Sequence, residues 1–224
     1  MALLLWYPFE AIDGSHLTLD YSGNDNTGTC GADLSVVAGN KKLCVSIPGS
    51  GTGVTTTAAA ASLAVGDVFT IAAWIKTATP TTRMTIFGPN YAGAKLGPVF
   101  GTGNPGLSAA GGLELYSKPA GNTSYTNASL ISANKWTHVA VTRNGTTSVA
   151  FYINAVSVAL VNNATQLAAM TSDTEAKLVG HRGGGAVPFA GQIDDLRVYD
   201  EVLSQTNIRQ IMGSPNALLF GGGQ

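Results

Sequence analysis

Charged side chains are scarce in this sequence. They make up 11% of its 224 residues, and the formal net charge is −1, whereas about 25% is usual for soluble domains. The longest basic run is Lys41-Lys42, so nucleic acid is not an expected partner. The exposed faces must carry mostly Thr, Ser, Asn, Gly and Ala. Because little charge repels a neighbour, such a surface favours a homo-oligomer or packing into a larger assembly.

Long apolar runs are also missing. None approaches the ~20 residues that cross a bilayer, so no membrane insertion is expected. Residues 1–6 lack the basic and long apolar segments of a secretory signal. Two alternatives follow, a leader removed beforehand or release by another route such as lysis of a host cell.

Cysteine is nearly absent. Cys30 and Cys44 are the only two, and the residues between them could form a short hairpin that brings them face to face. A disulfide and a pair of buried thiols both stay open, because two cysteines do not make a disulfide scaffold.

Short strand-like segments separated by Gly, Asn, Pro and Ser run through the chain. Alternation in residues 69–76 places Phe69, Ile71, Ala73 and Ile75 on one face and Trp74 on the other. Further strands are predicted at 3–9, 43–47, 84–87, 113–117, 137–143, 149–153, 156–161, 177–179 and 192–199. This pattern is typical of two packed sheets rather than of alternating βαβ units.

The residues between these segments predict turns, a helix and loops. Asn144-Gly145 predicts a β-hairpin, since both residue types tolerate positive φ. Ser204 is a good N-cap for one short helix, which Gly213 ends. Residues 49–61 and 88–112 are rich in Gly and predict long loops.

Four ordered segments together resemble the laminin-G-like family of concanavalin A-like domains. They are Trp6-Tyr-Pro-Phe9 with Asp20-Tyr-Ser-Gly-Asn-Asp-Asn-Thr-Gly-Thr29; Phe69-Thr-Ile-Ala-Ala-Trp-Ile75; Lys135-Trp-Thr-His-Val-Ala-Val-Thr142 with Val149-Ala-Phe-Tyr-Ile-Asn154; and Phe189-Ala-Gly-Gln-Ile-Asp-Asp-Leu-Arg-Val-Tyr199. The resemblance implies an all-β, two-sheet antiparallel jelly-roll sandwich over residues 1–213, with one short C-terminal helix. Residues 214–224 would form a tail that packs on its own domain or on a neighbouring subunit.

A cation site is suggested by one turn of this pattern. Asp20, Asn24 and Asn26 gather short oxygen ligands of the kind that Ca²⁺ prefers. The resemblance implies that Asp194 or Asp195 completes the shell, with Asp194 the favoured ligand. The alternative is a metal-free turn held by its own side-chain to backbone bonds.

Asp194 and Asp195 are adjacent in a predicted strand, so they should point to opposite faces. A buried acid needs a partner. Arg197 is the expected partner of Asp195, and a cation would serve Asp194. The alternative is that both carboxylates are solvated near a strand end.

Aromatic residues give candidate ligand contacts. Tyr91, Tyr116 and Tyr125 lie in or beside the long loops and are candidates for stacking on sugar rings, whereas Trp6, Trp74 and Trp136 are assigned to the core.

No catalytic pattern accompanies these aromatic residues. Glycoside hydrolysis needs two placed carboxylates, and none of Glu10, Glu114, Glu175 and Glu201 begins the E-x-D-x-E pattern of enzymes on related sandwiches. The sequence therefore predicts a protein that is not an enzyme.

Two functions remain as hypotheses. The first is a bacteriophage virion decoration, cement or receptor-contacting protein on the virion surface, with other capsid proteins as partners. The second is an extracellular, calcium-assisted, lectin-like module that binds surface glycans. Low charge and the Ala/Thr/Gly-rich surface favour the first, and the family resemblance favours the second.

Overall fold

A computed structural model describes residues 2–56, 63, 65–90, 97–103, 110–117, 123–162 and 176–213. Within them, two antiparallel sheets form the fold, with strands numbered in chain order. The eight strands of sheet A are β1 (Leu3–Tyr7), β4 (Ser35–Ala38), β5 (Leu43–Pro48), β7 (Val68–Lys76), β12 (Thr137–Asn144), β13 (Ser148–Ile153), β14 (Val156–Val158) and β17 (Ala190–Tyr199). Their spatial order is β14-β13-β12-β7-β17-β5-β4, and β1 also pairs with β17.

Sheet B contains nine described strands. They are β2 (Leu17–Thr18), β3 (Gly28–Cys30), β6 (Val54–Thr56), β8 (Thr85–Pro89), β9 (Pro98–Thr102), β10 (Leu113–Ser117), β11 (Thr123–Thr126), β15 (Leu160–Asn162) and β16 (Lys177–Val179). Their order is β15-β11-β10-β9-β8-β16-β6-β3-β2. The predicted all-β sandwich is confirmed.

The inner faces of the two sheets enclose the main core. In β7, Phe69, Ile71, Ala73 and Ile75 are all fully buried in it, as the alternation predicts. None of the three tryptophans belongs to this core: Trp6 is buried on the outer face of sheet A, and Trp74 and Trp136 are half-buried. Trp6 is therefore buried as expected, although it lies on the outer face of sheet A. The core assignment of Trp74 was wrong, because Ala73 and Ile75 of β7 point inward and alternation directs Trp74 outward. Trp136 precedes β12 and is half-buried, so its core assignment was wrong as well.

The helix α1 (Gln205–Gly213) packs on the outer face of sheet A. Its buried residues Ile208 and Ile211 contact a layer that includes Ala72 and Ala140. Small side chains at these two positions let the helix approach the sheet closely. Ser204 caps the helix as predicted, since its hydroxyl accepts a hydrogen bond from the backbone N–H of Asn207 at 3.2 Å.

Two further expectations are resolved by strand pairing. The hairpin around Gly145 is confirmed, because β12 and β13 pair antiparallel with Asn144 opposite Ser148. The single strand predicted over 156–161 is instead two strands, β14 at the edge of sheet A and β15 at the edge of sheet B. Only Ala159 separates them, so the chain changes sheet at one residue.

The two cysteines are free and buried. Cys30 lies in β3 and belongs to the main core, whereas Cys44 lies in β5 between the inward-facing Val45 and the β4–β5 turn. Since Val45 points inward, Cys44 points to the outer face of sheet A. The thiols occupy different sheets and different faces, so the disulfide hypothesis was wrong.

The described part of the chain contains no helix long and apolar enough to span a membrane.

Candidate functional site

Two of the predicted sugar-stacking residues lie on one surface, the outer face of sheet B. Leu113 and Leu115 of β10 point into the core, so alternation directs Glu114 and Tyr116 outward. Tyr125 of β11 is paired with Glu114. Antiparallel pairing keeps opposite residues on the same face, which places both tyrosines beside Glu114.

Glu114 is the polar centre of this surface. Its side chain is only 2% exposed, and Oε1 accepts a hydrogen bond from Arg83 Nε at 2.5 Å. The guanidinium of Arg83 also lies over the ring of Tyr116, 5.6 Å from its centroid. The ion pair and the cation–π contact together fix the orientation of Tyr116, which is half-buried. We call Arg83, Glu114, Tyr116 and Tyr125 the Glu114 surface.

The carboxyl group of Glu114 has a raised pKa and one oxygen without a hydrogen-bond partner among the described residues. Burial raises the pKa of its carboxyl, and the nearby guanidiniums of Arg83 and Arg182 lower it. Among the described residues, Glu114 Oε2 and Arg182 Nε have no hydrogen-bond partner although both atoms are buried. Leaving such groups unpaired costs about 1–3 kcal/mol each.

Strand β9 places Gly101 beside Glu114. Gly101 is paired with both Glu114 and Thr85, and a Cβ at this position would lie 2.1 Å from the carbonyl oxygen of Met84. The close approach of the two backbones therefore requires glycine. Glu114 therefore stands between a glycine of β9 and a tyrosine of β11.

The predicted calcium turn is organised by Asp20. Its Oδ1 accepts hydrogen bonds from the backbone N–H groups of Trp6 at 3.0 Å and Ser22 at 2.8 Å. Its Oδ2 accepts from Ser22 Oγ at 2.7 Å and from the backbone N–H of Asn26 at 3.0 Å. Four donors from the chain itself thus surround this carboxylate, as in a turn held by side-chain to backbone bonds.

The amides of the same turn face β1. Asn24 Nδ2 donates to the carbonyl of Leu3 at 2.7 Å, and Asn26 Nδ2 donates to that of Leu4 at 2.9 Å. The structure therefore brings Asp20, Asn24 and Asn26 together. No group of three or more His, Cys, Asp or Glu that could hold a metal ion occurs within the described ranges.

Asp194 makes its hydrogen bonds elsewhere. Its Oδ2 accepts from the backbone N–H groups of Asn40 and Lys41 in the β4–β5 turn, at 2.8 and 2.9 Å, and its Oδ1 is buried without a partner among the described residues. Burial outweighs the opposing effect of these two hydrogen bonds and raises the pKa of this carboxyl to about 6. These bonds join Asp194 to the β4–β5 turn rather than to the turn of Asp20.

The expected opposite orientation of Asp194 and Asp195 was wrong because a β-bulge interrupts β17. Asp194 pairs with Trp74 and Arg197 with Ala72, so three steps along β17 match two along β7. Asp195 is the extra residue and has a φ of 50°. Both carboxylates consequently point to the outer face of sheet A.

The predicted partner of Asp195 is confirmed. Arg197 Nε donates to Asp195 Oδ1 at 2.9 Å, and its second nitrogen donates to Oδ2 at 3.2 Å. The indole of Trp6 also donates to Oδ1 at 2.6 Å. This carboxylate is nearly fully buried, and both of its oxygens accept hydrogen bonds.

The sequence missed Glu114, Arg83 and Arg182 because each is an isolated charged residue. Glu114 meets Tyr125 through strand pairing, and Arg83 reaches Glu114 and Tyr116 through its side chain from outside the strands. No spacing in the sequence records these contacts. Tyr91 and the tail at 214–224 lie outside the described residues.

Comparison with known proteins gives a match to one family model and matches to solved structures. A family model described as the concanavalin A-like lectin/glucanases superfamily matches residues 48–209. A comparison with curated proteins gives no match.

Solved structures give matches to the whole described fold. Domain 4 of AbnA, an extracellular arabinanase from Geobacillus stearothermophilus solved with arabinotriose, has a TM-score of 0.70 at 21% identity, covering 94% of this chain and 98% of that chain. The binding domain of Paraclostridial Mosquitocidal Protein 1 has a TM-score of 0.69 at 16% identity, covering 94% and 52%. The binding domain of botulinum neurotoxin serotype D has a TM-score of 0.65 at 15% identity, covering 95% and 50%. The chain thus spans about half the length of either toxin domain.

Proposed function

The chain belongs to the concanavalin A-like lectin/glucanases superfamily, and on that premise we propose that it is a non-catalytic carbohydrate-binding domain. Membership gives the scaffold but not the ligand, because function lies in sites carried by a fold. The proposal therefore depends on one observation, the Glu114 surface.

The Glu114 surface has the chemistry that a sugar requires. Two half-buried tyrosine rings, Tyr116 and Tyr125, offer apolar faces for the C–H side of a pyranose or furanose ring. The unpartnered Glu114 Oε2 and Arg182 Nε can accept from and donate to adjacent hydroxyls. A few convergent polar groups beside aromatic faces are typical of small-ligand sites.

The same arrangement argues against hydrolysis. Cleavage of a glycosidic bond needs two carboxyl groups about 5–9.5 Å apart. Among the described residues, the charged groups that shift the pKa of Glu114 are the two guanidiniums of Arg83 and Arg182. Glu114 is therefore assigned to ligand binding.

Arabino-oligosaccharides are the first ligands to test, because the domain of the arabinanase was solved with arabinotriose. A glycan array on the purified chain would identify other ligands, and calorimetry with the best hit would measure affinity. We expect Tyr116→Ala and Tyr125→Ala each to weaken binding by about ten- to a hundredfold, since a stacked ring contributes about 1–3 kcal/mol at sugar or base faces. Tyr21→Ala is the matched control, because Tyr21 is 53% exposed and packs on Trp6 elsewhere.

Two results would overturn the proposal. One is an array without a hit above background for a chain whose melting is cooperative. The other is a hit whose affinity is unchanged by both Tyr116→Ala and Tyr125→Ala, which would move the site away from the Glu114 surface.

An extracellular or surface location accompanies this function, since the arabinanase is extracellular and the toxin matches are binding domains. A virion-surface role is a second candidate. Assembly with other proteins is supported by the small fraction of charged residues, 11%. It is also supported by exposed apolar side chains such as Leu19, Val156 and Val161. Capsid and portal genes beside the coding gene would support this role, and a neighbourhood of secreted polysaccharide-degrading enzymes would contradict it.

A further inference from the structure

A cleft of about 470 Å³ lies at the end of sheet A where β5 and β7 finish and β17 begins. Its lining includes Ser46, Pro48, Lys76, Thr79, Asn134 and Gln192. Small-ligand sites usually measure 300–1,000 Å³, so the cleft has room for one or two sugar rings. It lies on a different sheet from the Glu114 surface and shares no lining residue with it.

Three polar side chains form a row along the cleft. Gln192 of β17 is paired with Ser46 on one side and with Lys76 on the other. The neighbouring Ile193 and Ile75 are buried in the core, so the row faces outward. Adjacent strands are about 4.8 Å apart, and the row is therefore about 10 Å long, close to the length of a disaccharide.

The row has unused hydrogen-bonding capacity. Gln192 Oε1 is buried and has no hydrogen-bond partner among the described residues. In the same described ranges, neither the hydroxyl of Ser46 nor the ammonium group of Lys76 makes a hydrogen bond or an ion pair. An amide, a hydroxyl and an ammonium group with unused hydrogen-bonding capacity thus stand side by side. A ligand that donates a hydrogen bond to Gln192 Oε1 would recover part of the cost of burying this oxygen.

The walls of the cleft are held by hydrogen bonds that leave the row free. Thr77 Oγ donates to the carbonyl of Ala190 at 2.7 Å and accepts from the backbone N–H of Thr79 at 3.1 Å. The backbone N–H of Asn134 donates to the carbonyl of Thr77 at 2.7 Å. A wall fixed before binding lowers the entropic cost of association.

The charge of the cleft selects the ligand. Lys76 is the one charged residue among those that line it in the described part of the chain. An ammonium group without a carboxylate partner favours an anion, and the hydroxyl and amide beside it match the hydroxyls of a sugar. The small apolar groups of Pro48, Ala78 and Ala190 can contact the C–H face of a ring.

We propose that this cleft is a second binding site, specific for an acidic saccharide. The carboxylate of the sugar pairs with Lys76, and ring hydroxyls donate to Gln192 Oε1 and exchange hydrogen bonds with Ser46. The site does not depend on the Glu114 surface, and the chain would therefore hold two glycans on opposite sheets of the sandwich.

The test is a titration of the full chain with sodium D-glucuronate, with methyl glucoside as the neutral counterpart, followed by amide NMR shifts. We expect glucuronate to shift the signals of Ser46, Lys76 and Gln192 and methyl glucoside to leave them unchanged at the same concentration. Lys76→Gln should weaken glucuronate binding at least about tenfold, the effect of losing one hydrogen bond to a charged group. Gln192→Leu should weaken it by a smaller factor.

Two controls accompany these variants, and the three signals report on the cleft and not on the Glu114 surface. Lys42→Gln removes the same charge from an exposed position and should leave the affinity unchanged. Sodium acetate tests for an anion alone. The proposal is wrong if glucuronate shifts none of the three signals, if acetate shifts them equally, or if Lys42→Gln weakens binding as much as Lys76→Gln does in a variant with unchanged melting temperature.

Discussion

The indole Nε1 of Trp6 donates a hydrogen bond of 2.6 Å to Oδ1 of Asp195, and this contact joins β1 to the bulge of β17. The ring of Trp6 also receives the guanidinium of Arg197, 4.6 Å from its centroid. Three side chains from the two strands therefore form one buried unit, with the carboxylate accepting from both partners.

Replacing Asp195 should destabilise the fold strongly. Asp195→Asn leaves Arg197 as a buried charge without a counter-ion, and breaking such a pair costs about 3–5 kcal/mol. Urea unfolding followed by tryptophan fluorescence measures the loss. Asp25→Asn is the matched control, since Asp25 is exposed and Asn tolerates its φ of 57°. A loss below about 1 kcal/mol for Asp195→Asn would show that the unit contributes little.

His138 should make the protein sensitive to acid. Burial, together with the positive charges of Arg197 and Lys41, lowers the pKa of its imidazole to about 3. Because the pKa is about 6.5 in the unfolded chain, the stabilisation is complete above pH 6.5 and is lost progressively as the pH falls from 6.5 towards 3. The limiting slope for one group is about 1.4 kcal/mol per pH unit.

Unfolding free energies of wild type and His138→Asn between pH 7.5 and 4 test this expectation. The variant should show a shallower loss than wild type over that window, whatever its stability at pH 7.5. His16→Asn, at an exposed position with a φ of 59°, should retain the wild-type slope. Parallel curves for wild type and His138→Asn would contradict the assignment.

Both thiols should resist modification in the native protein. Burial raises the pKa of Cys30 to about 11 and that of Cys44 to about 12, and the thiolate is the reactive form. Ellman's reagent at pH 7.5 should label neither cysteine within minutes in the folded chain and both in urea. The urea value should be the same with and without prior reduction, and a count of zero before reduction would indicate a disulfide.

Calcium binding stays a prediction that chelation can test. A cation held by the turn of Asp20 would raise the melting temperature, because ligands that bind only the native state stabilise it. EDTA should then lower the melting temperature of wild type, and Asp20→Asn should abolish the difference between calcium and EDTA. Identical melting curves in calcium and EDTA would reject the cation and leave the four hydrogen bonds to Asp20 as the whole function of this turn.

Alternation predicts the central strands well and the marginal strands poorly. Phe69, Ile71 and Ile75 lie on the face of β7 that packs against the main core. Apolar residues therefore recur with a period of two in this part of the sequence. The strands β3 and β9 contain glycine and are three and five residues long. Their sequences favour loops, and their pairing with neighbouring strands determines their conformation.

The site was harder to predict than the fold, because it depends on register. Tyr116 and Tyr125 were candidates from their place beside loops, yet nothing in the sequence indicates that Tyr125 stands opposite Glu114. The bulge at Asp195 is a similar case. One inserted residue reverses the orientation of its carboxylate, and a strand pattern read at a strict period of two gives the wrong face.

The change of sheet at Ala159 has a mechanical consequence. A single residue ties β14, at the edge of sheet A, to β15, at the edge of sheet B. Because one residue spans less than about 4 Å, the two sheets cannot slide past each other without breaking the hydrogen bonds that pair β14 or β15 with its neighbour. Shear between the sheets, such as a ligand anchored to a surface would transmit, therefore acts directly on the hydrogen bonds of these two three-residue edge strands.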